Sequence, residues 1–476
     1  MKYESDFLPY STPEREGVSS TALLELFKAW KELDSLNSFI IVRRGKVIVE
    51  HYYAPYREET PHRLFSLTKS FTSLAIGFAE AEGRLSLDDP AVSFFPEKTF
   101  KQDRAILEKV TVRHLLTMSG GHASCPLLGI PKEELDKVRD YTQAFFDAPF
   151  VYAPGEKFVY NSAGSHVLAA IVLKVTGMNI SEYLKPRLLE PLGIRTFKVE
   201  KDPAGVEKGG WGGFARTRDL AKLGECIRLG GVWNGKQLIP AEYLKAATSF
   251  QMENSANELP DWKVGYGFQF WQSRHGFRGD GACGQYLAIL PEADMVIAVT
   301  AGLPEMGRVL DAAWDILLPN LYDHARADKP ELWAKLDQFT GNELQIPLCA
   351  GDRLRRMEKK TFKMQPNPCG IRSITCSTMM GRAQILLDGP NGEELISAGF
   401  GFFTDNSIRM KSPFMHRAAA SAAWVGENVL RVETVLADTP FRVAYMLDFS
   451  GGKLRFERSS NLQFLNPDWP VLYSEE

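Results

Sequence analysis

The sequence predicts an α/β protein followed by an all-β module. Two observations support the α/β part: strand-like runs lie near both ends of the first 320 residues, and a mainly helical region separates them. That order is typical of a sheet with helices on its faces plus a helical lobe. From about residue 345, short alternating runs separated by turn-forming residues predict a small sandwich or barrel.

Apolar spacing predicts the elements of the first part. A helix with Leu23, Phe27 and Trp30 on one side comes first, and a later helix ends at Gly83. The predicted elements are, in order, helix 19–30, strands 38–43 and 46–53, helix 66–82, strands 266–272, 285–290 and 295–300, and helix 307–322.

The domain boundaries follow from a change of composition. The chain becomes polar around residues 327–330, and strand-like runs predominate from 359 onward. We therefore predict a first domain over 1–328, a linker over 329–344 and a β domain over 345–476. The predicted strands of the β domain are 371–376, 384–387, 429–435, 443–449 and 454–457.

Composition and charge exclude several classes of function. The formal net charge is -3, which gives no reason to expect nucleic acid or an anionic membrane as partner. The apolar stretches, such as 74–81, are too short to span a bilayer. The N-terminus lacks the apolar run of a secretory signal, and the six cysteines are scattered. We therefore expect a cytoplasmic protein with free thiols.

The pair Ser66 and Lys69 carries the chemistry. Residues i and i+3 of a helix share a face, so a base could accept the hydroxyl proton of Ser66 there. Burial would lower the pKa of the Lys69 amine toward neutrality. The pattern arises about once by chance, and Ser450 to Lys453 repeats it within a glycine turn. A helix N-cap followed by a surface lysine remains open as the alternative.

The neighbouring motifs resemble those of class C β-lactamases and penicillin-binding-protein-like serine hydrolases. The resemblance runs from about residue 15 to 320 and implies the serine β-lactamase-like fold, with an antiparallel sheet. The matching segments are Phe65-Ser66-Leu67-Thr68-Lys69-Ser70, Gly83-Arg84-Leu85-Ser86-Leu87-Asp88-Asp89-Pro90, Val112-Arg113-His114-Leu115-Leu116-Thr117-Met118-Ser119-Gly120, Tyr160-Asn161-Ser162 and Glu190-Pro191-Leu192-Gly193-Ile194.

The resemblance implies roles for the second motif. Tyr160 would be a general base near Ser66, with its pKa lowered by positive charge that Lys69 partly supplies. Ser162 would support the hydrogen-bond network. A core tyrosine is the alternative for Tyr160.

The third motif departs from the family pattern. The resemblance places Gly279, Asp280 and Gly281 on the strand that edges the site, so the family cation that receives a substrate carboxylate is missing. We expect strand alternation to point Arg278 to the opposite face. Asp280 and Gly281 would support the site or bind substrate.

The resemblance also implies an oxyanion hole formed by the N–H groups of Ser66 and Ala282. For the adjacent Cys283 we prefer a buried thiol over a nucleophile.

Other motifs are better explained by local structure than by the binding of a cofactor, phosphate or metal. Residues 279–284 match a dinucleotide fingerprint, but a strand follows them in place of the helix that this motif needs. Residues 230–236 resemble a phosphate loop, but Gln237 stands where Ser or Thr would hold magnesium. The histidines have no metal-ligand spacing. We expect no metal and no cofactor.

The residues and the resemblance together predict a serine hydrolase that cleaves an ester or amide bond of a small-molecule or peptide substrate by two-step acyl transfer. With the family cation missing, the resemblance favours an esterase. A D-amino-acid peptidase or penicillin-binding activity, and a catalytically silent ligand-binding module, remain open. The β module resembles lipocalin-like domains in segments 418–424 and 433–440. Such a module could narrow the cleft or assist homo-oligomer formation.

Overall fold

The structure, a computed structural model, describes residues 7–33, 35–128, 132–135, 137–339, 355–408, 415–463 and 467–475.

The helices of the described residues lie almost entirely before residue 340. No single described helix is long and apolar enough to cross a membrane, and one bent pair, Ser162–Thr176 with Ile180–Leu189, qualifies only by length and composition. The α-helices are α1 Ser20–Lys31, α2 Thr68–Ala81, α3 Arg104–Leu107, α4 Val112–Leu116, α5 Lys132–Leu135, α6 Tyr141–Asp147, α7 Ser162–Thr176, α8 Ile180–Leu184, α9 Thr217–Arg228, α10 Ala241–Ala247, α11 Gly307–Ala312 and α12 Pro330–Phe339.

The strands form two larger sheets and two small ones within the described residues. In chain order they are β1 Leu36–Arg43, β2 Lys46–Tyr52, β3 His62–Arg63, β4 Lys198–Val199, β5 Gly213–Ala215, β6 Val232–Trp233, β7 Lys236–Gln237, β8 Trp271–Gln272, β9 Phe277–Gly281, β10 Gln285–Leu290, β11 Met295–Ala301, β12 Met357–Lys363, β13 Ser373–Met379, β14 Arg382–Gly389, β15 Gly392–Phe400, β16 Thr404–Ile408, β17 His416–Trp424, β18 Val429–Leu436, β19 Arg442–Asp448, β20 Arg455–Ser460 and β21 Leu472–Tyr473.

A six-stranded sheet supports the first unit. Its strand order is β2-β1-β11-β10-β9-β8, and β11 pairs antiparallel with both β1 and β10. Strands β1, β10 and β11 are buried along their whole length, which is expected when helices cover both faces. The predicted α/β architecture is therefore confirmed. The order places β9 near one edge, where it packs against the chain that leads into α2.

One predicted strand is much shorter than expected. Only Trp271–Gln272 of the predicted run 266–272 forms a strand. Gln269 has a φ of 62°, a left-handed conformation that ends extended structure. Its buried amide donates to the carbonyl oxygens of Leu115 and Leu116 at 3.0 and 2.9 Å, so tertiary hydrogen bonds outweigh the local alternation.

The second unit is built on a curled ten-stranded sheet. Its order is β12-β13-β14-β15-β17-β18-β19-β20-β21, with β16 paired to β17. Strands β15 and β17 run parallel, whereas the other neighbours with a described register are antiparallel. A bridge between Met364 and Ser474 joins the two ends of the strand order. The all-β module is confirmed, and the lipocalin-like assignment stays a prediction.

The two units are interleaved along the chain. The first comprises 1–51, 63–301 and 305–339, and the second comprises 52–62, 302–304 and 340–476. Within the second unit, the Tyr56 hydroxyl donates to the Thr439 carbonyl oxygen at 3.1 Å. The predicted linker 329–344 differs from the structure over 330–339, because these residues form α12 of the first unit. Residues 340–344 lie outside the described residues.

Candidate active site

Ser66 lies in a strained turn immediately before α2. The turn is a short 3₁₀ helix, Phe65–Leu67, and Phe65 has a φ of 47°. The Thr68 hydroxyl donates to the Phe65 carbonyl oxygen at 2.6 Å and accepts from the Gly213 amide at 2.9 Å. The Leu64 amide donates to the Gly213 carbonyl oxygen at 2.8 Å. Contacts with β5 thus hold a backbone conformation that non-glycine residues seldom adopt.

Lys69 is buried beside this turn, with 1% of its surface exposed. Its Nζ contacts Ser66 Oγ at 3.0 Å, Ser162 Oγ at 3.0 Å and the Gly210 carbonyl oxygen at 2.6 Å. Burial lowers the pKa of Lys69 to about 7, while Cys125 and Asp280 oppose that shift. The expected lowering of this pKa is confirmed, and the alternative of a surface lysine is wrong.

These three contacts orient the amine. The Gly210 carbonyl oxygen can only accept a hydrogen bond, so one N–H of Lys69 must point at it. The neutral amine has a second N–H, which can point at Ser162 Oγ, and one lone pair. The lone pair is then left for the Ser66 hydroxyl at 3.0 Å. The geometry therefore suits Lys69 as acceptor of the Ser66 proton.

Tyr160 completes the group of hydroxyls around Ser66. Its hydroxyl is hydrogen-bonded to Ser66, and Lys69 Nζ lies 4.7 Å from the centre of its ring. The predicted lowering of its pKa is wrong. Burial, and then the negative charge of Asp280, raise the pKa of Tyr160 far above its usual value, although the bond to Ser66 opposes this. The phenol is therefore protonated at neutral pH.

The Tyr160-Asn161-Ser162 segment places two further groups. The Asn161 side chain caps α7 by accepting from the amides of Ala163 at 3.0 Å and Gly164 at 3.2 Å. Ser162 is the first residue of α7, and its hydroxyl meets Lys69. The cap thus fixes Ser162 against the amine, in agreement with its predicted supporting position.

Gly279 and Gly281 let β9 approach the Ser66 turn closely. A Cβ atom on Gly279 would lie 2.6 Å from Ser70 Oγ, and one on Gly281 would lie 2.0 Å from the Leu64 carbonyl oxygen. A side chain on Gly281 would clash with backbone, and one on Gly279 would force the Ser70 side chain or β9 to move. The end of β9, and with it Ala282, therefore lies beside the turn of Ser66. The oxyanion hole of Ser66 and Ala282 stays a prediction.

The sequence analysis missed the segment 209–213, which contains four glycines in five residues. A Cβ atom on Gly210 would lie 2.5 Å from the Ser162 carbonyl oxygen, and one on Gly213 would lie 2.7 Å from Thr68 Oγ1. This segment supplies the carbonyl oxygen that orients Lys69 and the amide that holds the Ser66 turn. Its glycine density was the available signal.

Comparison with known proteins identifies the family. The family model described as Beta-lactamase matches residues 37–318, which is more than half of the chain. The chain belongs to the β-lactamase family.

Individual relatives are distant. A β-lactamase from Escherichia coli (strain K12) is 24% identical, over 55% of this chain and 81% of its own. A 6-aminohexanoate-dimer hydrolase from Paenarthrobacter ureafaciens is 24% identical, over 56% of this chain and 73% of its own. The structure of an octameric penicillin-binding protein homologue from Pyrococcus abyssi is 19% identical, with a TM-score of 0.50, over 96% of this chain and 100% of its own. At that identity the last match shows the fold alone.

The cation near the third motif of this β-lactamase-family chain is Arg278. As expected from alternation, Arg278 and Gly279 lie on opposite faces of β9, and Gly279 faces α2. Arg278 is fully buried, and its Nε donates to Asp280 at 3.0 Å. Its guanidinium lies 4.5 Å from the Trp262 ring and 5.7 Å from the Trp271 ring. Arg278 is therefore part of a buried ion pair and does not take the place of the missing family cation.

An aromatic cluster borders Tyr160. Tyr160, Phe158 and Trp262 are only partly buried, and they pack against buried Trp271. This wall of the β-lactamase-family site is apolar next to the nucleophile, so it suits an uncharged substrate group.

Cys283 is buried, and burial raises the pKa of its thiol to about 12. The preference for an inert buried thiol is confirmed. Cys125, Cys226, Cys283 and Cys376 are free thiols, and Cys349 lies outside the described residues. Among the described residues of this family member, no three His, Cys, Asp or Glu side chains are grouped to hold a metal ion.

Proposed function

We propose that this protein is a serine hydrolase that cleaves an ester or amide through an acyl-enzyme on Ser66, and that esters are its preferred substrates. One observation carries the proposal. A buried amine whose pKa is about 7 lies 3.0 Å from the hydroxyl of Ser66, in a member of a hydrolase family. A base is best matched to its task when its pKa is near the working pH.

In the proposed acylation, Ser66 Oγ bonds to the substrate carbonyl carbon, and its proton passes to Lys69. The oxyanion would rest on the N–H groups of Ser66 and Ala282, where one donor is worth about 3–4 kcal/mol. Tyr160, protonated and bonded to Ser66, gives its proton to the leaving group as the bond to carbon breaks, and is reprotonated from Lys69. Water then attacks the acyl-enzyme, and the proton returns along the same groups to Ser66.

Two features favour esters over carboxylate-bearing peptides. Arg278 is fully buried and pairs with Asp280, so it is not accessible to a substrate carboxylate. The partly buried aromatic residues next to Tyr160 suit an uncharged acyl or alcohol group. The alternatives are a D-amino-acid peptidase and penicillin binding, both of which use a substrate carboxylate. A silent ligand-binding fold is the alternative from another class.

The test is intact mass spectrometry after incubation with a fluorophosphonate and, separately, with a penicillin. Wild type, Ser66→Ala and Ser450→Ala are compared. Ser450 is the matched control, because it shares the spacing to a lysine but lies in a glycine turn of the second unit. We expect the fluorophosphonate to label wild type and Ser450→Ala, but not Ser66→Ala. Penicillin labelling would favour the second alternative, and no labelling at all would favour the silent fold.

We also propose that several copies of the chain assemble, because a neighbour that spans 96% of this chain is described as octameric. Light scattering on purified full-length protein tests this. A monomeric mass at micromolar concentration would contradict it.

A further inference from the structure

Asp280 stands between the two glycines that touch the Ser66 turn. Gly279 abuts Ser70, and Gly281 abuts the backbone at Leu64. These contacts bring β9 close to the start of α2. The carboxylate of Asp280 lies on the same face of β9 as Arg278, and its negative charge acts on both Lys69 and Tyr160.

A set of buried donors holds this carboxylate. Arg278 Nε donates to Asp280 Oδ2 at 3.0 Å, and the Trp262 side chain adds a hydrogen bond. The Arg278 Nη1 donates to the carbonyl oxygens of Asp261 and Gln272 at 2.8 and 3.1 Å, and to Ser273 Oγ at 2.6 Å. Its Nη2 has no partner among the described residues. A guanidinium engaged at Nε and Nη1 is a fixed counter-charge, not a mobile receptor.

The pair is connected to the proposed nucleophile through stacked groups. Arg278 lies 5.7 Å from the Trp271 ring, which stacks on Tyr160 at 5.4 Å. The Tyr160 ring also contacts Lys69, whose Nζ lies 4.7 Å from the ring centroid. Charges interact more strongly in such a buried, close-packed region than in water.

We propose that Asp280, held by Arg278, is a positioning residue that stabilises the ammonium form of Lys69 and the neutral form of Tyr160. The proposal rests on the proposed function. It assigns the pair to the tuning of proton transfer, not to the binding of substrate.

The charged and titratable groups around Lys69 are consistent with this role. Asp280 on β9 and Cys125 both raise the pKa of Lys69 against the effect of burial. Burial and then Asp280 raise the pKa of Tyr160, while the bond to Ser66 and then Arg278 lower it. Burial keeps the nearby phenols of Tyr266 and Tyr286 protonated, with pKa values well above normal.

The groups around Asp280 shift the pKa of its carboxyl in both directions. Burial raises the pKa of the Asp280 carboxyl, whereas Arg278, Lys69 and Trp262 lower it. Burial lowers the pKa of Lys69, and Asp280 opposes that effect. Without Asp280 we therefore expect the amine to lose its proton at a lower pH.

The experiment measures the rate of fluorophosphonate labelling of the full chain between about pH 5 and pH 10. Asp280→Asn keeps the shape of the side chain and removes its charge. We expect the midpoint of the rise with pH to move down by roughly one unit relative to wild type. About one unit below the wild-type midpoint, the variant should keep a several-fold larger fraction of its own plateau rate. A loss of structure alone lowers the plateau and leaves the midpoint in place.

Two further variants complete the test. Asp280→Asn with Arg278→Gln removes both charges, which buried ion pairs tolerate better than loss of one partner. We expect a downward shift that is smaller than that of Asp280→Asn, because loss of Asp280 lowers the pKa of Lys69 while loss of the positive charge of Arg278 acts in the opposite direction. Asp311→Asn is the control, since that exposed carboxylate pairs with Arg274 and should leave the midpoint unchanged. If Asp280→Asn does not fold, the pH midpoint of the double variant decides the test.

An unchanged midpoint in the folded variants would overturn the inference. So would a selective loss of activity on a carboxylate-bearing ester in the double variant with no change in midpoint, because that result would assign the pair to substrate binding. Absence of wild-type labelling would instead refute the proposed function, so the two failures are distinguishable.

Discussion

Tyr160 lies nearly parallel to Trp271, with ring centroids 5.4 Å apart and an angle of 21° between their planes. The ring of Tyr160 is therefore fixed by stacking, independently of the hydrogen bond that its hydroxyl makes to Ser66. Removing the hydroxyl should leave the ring in place.

Tyr160→Phe should therefore fold like wild type but acylate far more slowly. Loss of a general acid or base typically costs about 10²- to 10⁴-fold in rate. Stopped-flow acylation with a p-nitrophenyl ester, together with thermal melting, measures both properties. Tyr266→Phe is the control, because Tyr266 contacts the same Trp271 edge-on at 4.8 Å. Equal rates in the two variants would mean that Tyr160 is only a core tyrosine.

Lys69→Met should abolish acylation and alter the pH dependence of stability. Burial lowers the pKa of Lys69 to about 7, whereas the unfolded chain has the ordinary lysine value of about 10.4. Between these values the unfolded state binds more protons, so wild-type stability contains a contribution that rises with pH. The melting temperature of Lys69→Met minus that of wild type should fall as pH rises from about 7 to about 10. A constant difference would contradict the buried, titrating amine.

Gly279→Lys should not restore the family cation. Its Cβ atom would lie 2.6 Å from Ser70 Oγ, so either β9 or the buried Ser70 hydroxyl, which donates to the Gln269 carbonyl oxygen at 3.1 Å, must move. We expect a lower melting temperature and no acylation by penicillin in intact mass spectrometry. Gly426→Lys adds the same charge where the nearest atom to a Cβ is 3.5 Å away, and it should be tolerated. Penicillin labelling of Gly279→Lys would show that the close approach is not limiting.

Thr68→Val should lower both stability and acylation. The substitution removes the hydroxyl that bonds Phe65 and Gly213. The Phe65 carbonyl oxygen still accepts from the Thr68 amide, but the Gly213 amide loses this acceptor, at a cost of about 1–3 kcal/mol. The strained turn at Phe65 should then relax and displace Ser66. Thr72→Val, which loses a 2.8 Å bond to the Gly209 carbonyl oxygen one helical turn later, should lower stability with little effect on acylation. Urea unfolding and stopped-flow acylation separate the two effects.

Local sequence patterns predicted the elements that carry the nucleophile. The predicted helix 66–82 corresponds to the Phe65–Leu67 turn and α2, and predicted strands 285–290 and 295–300 correspond to β10 and β11. The apolar spacing of each segment is a local property of its sequence, and it indicates which side chains become buried. Strand β17 was not predicted from its pattern, because its five alanines favour a helix. Pairing with β16 and β18 outweighs that preference.

The electrostatics of the site could not be obtained from motifs. Spacing brought Ser66 and Lys69 together, but the pKa of Tyr160 depends on burial and on Asp280, which lies far along the chain. Likewise, alternation along β9 correctly separated Arg278 from Gly279 but could not reveal which face adjoins Trp262 and Trp271. Such properties arise from the assembled tertiary structure.

The interleaving of the two units has a consequence for how the gene can be divided. Residues 52–62 and 302–304 belong to the second unit, yet they are encoded within the region of the first. A single cut after residue 339 would separate Tyr56 from its hydrogen-bond acceptor at Thr439. A recombination event that exchanged the C-terminal module between relatives would therefore need to exchange two short upstream inserts together with it.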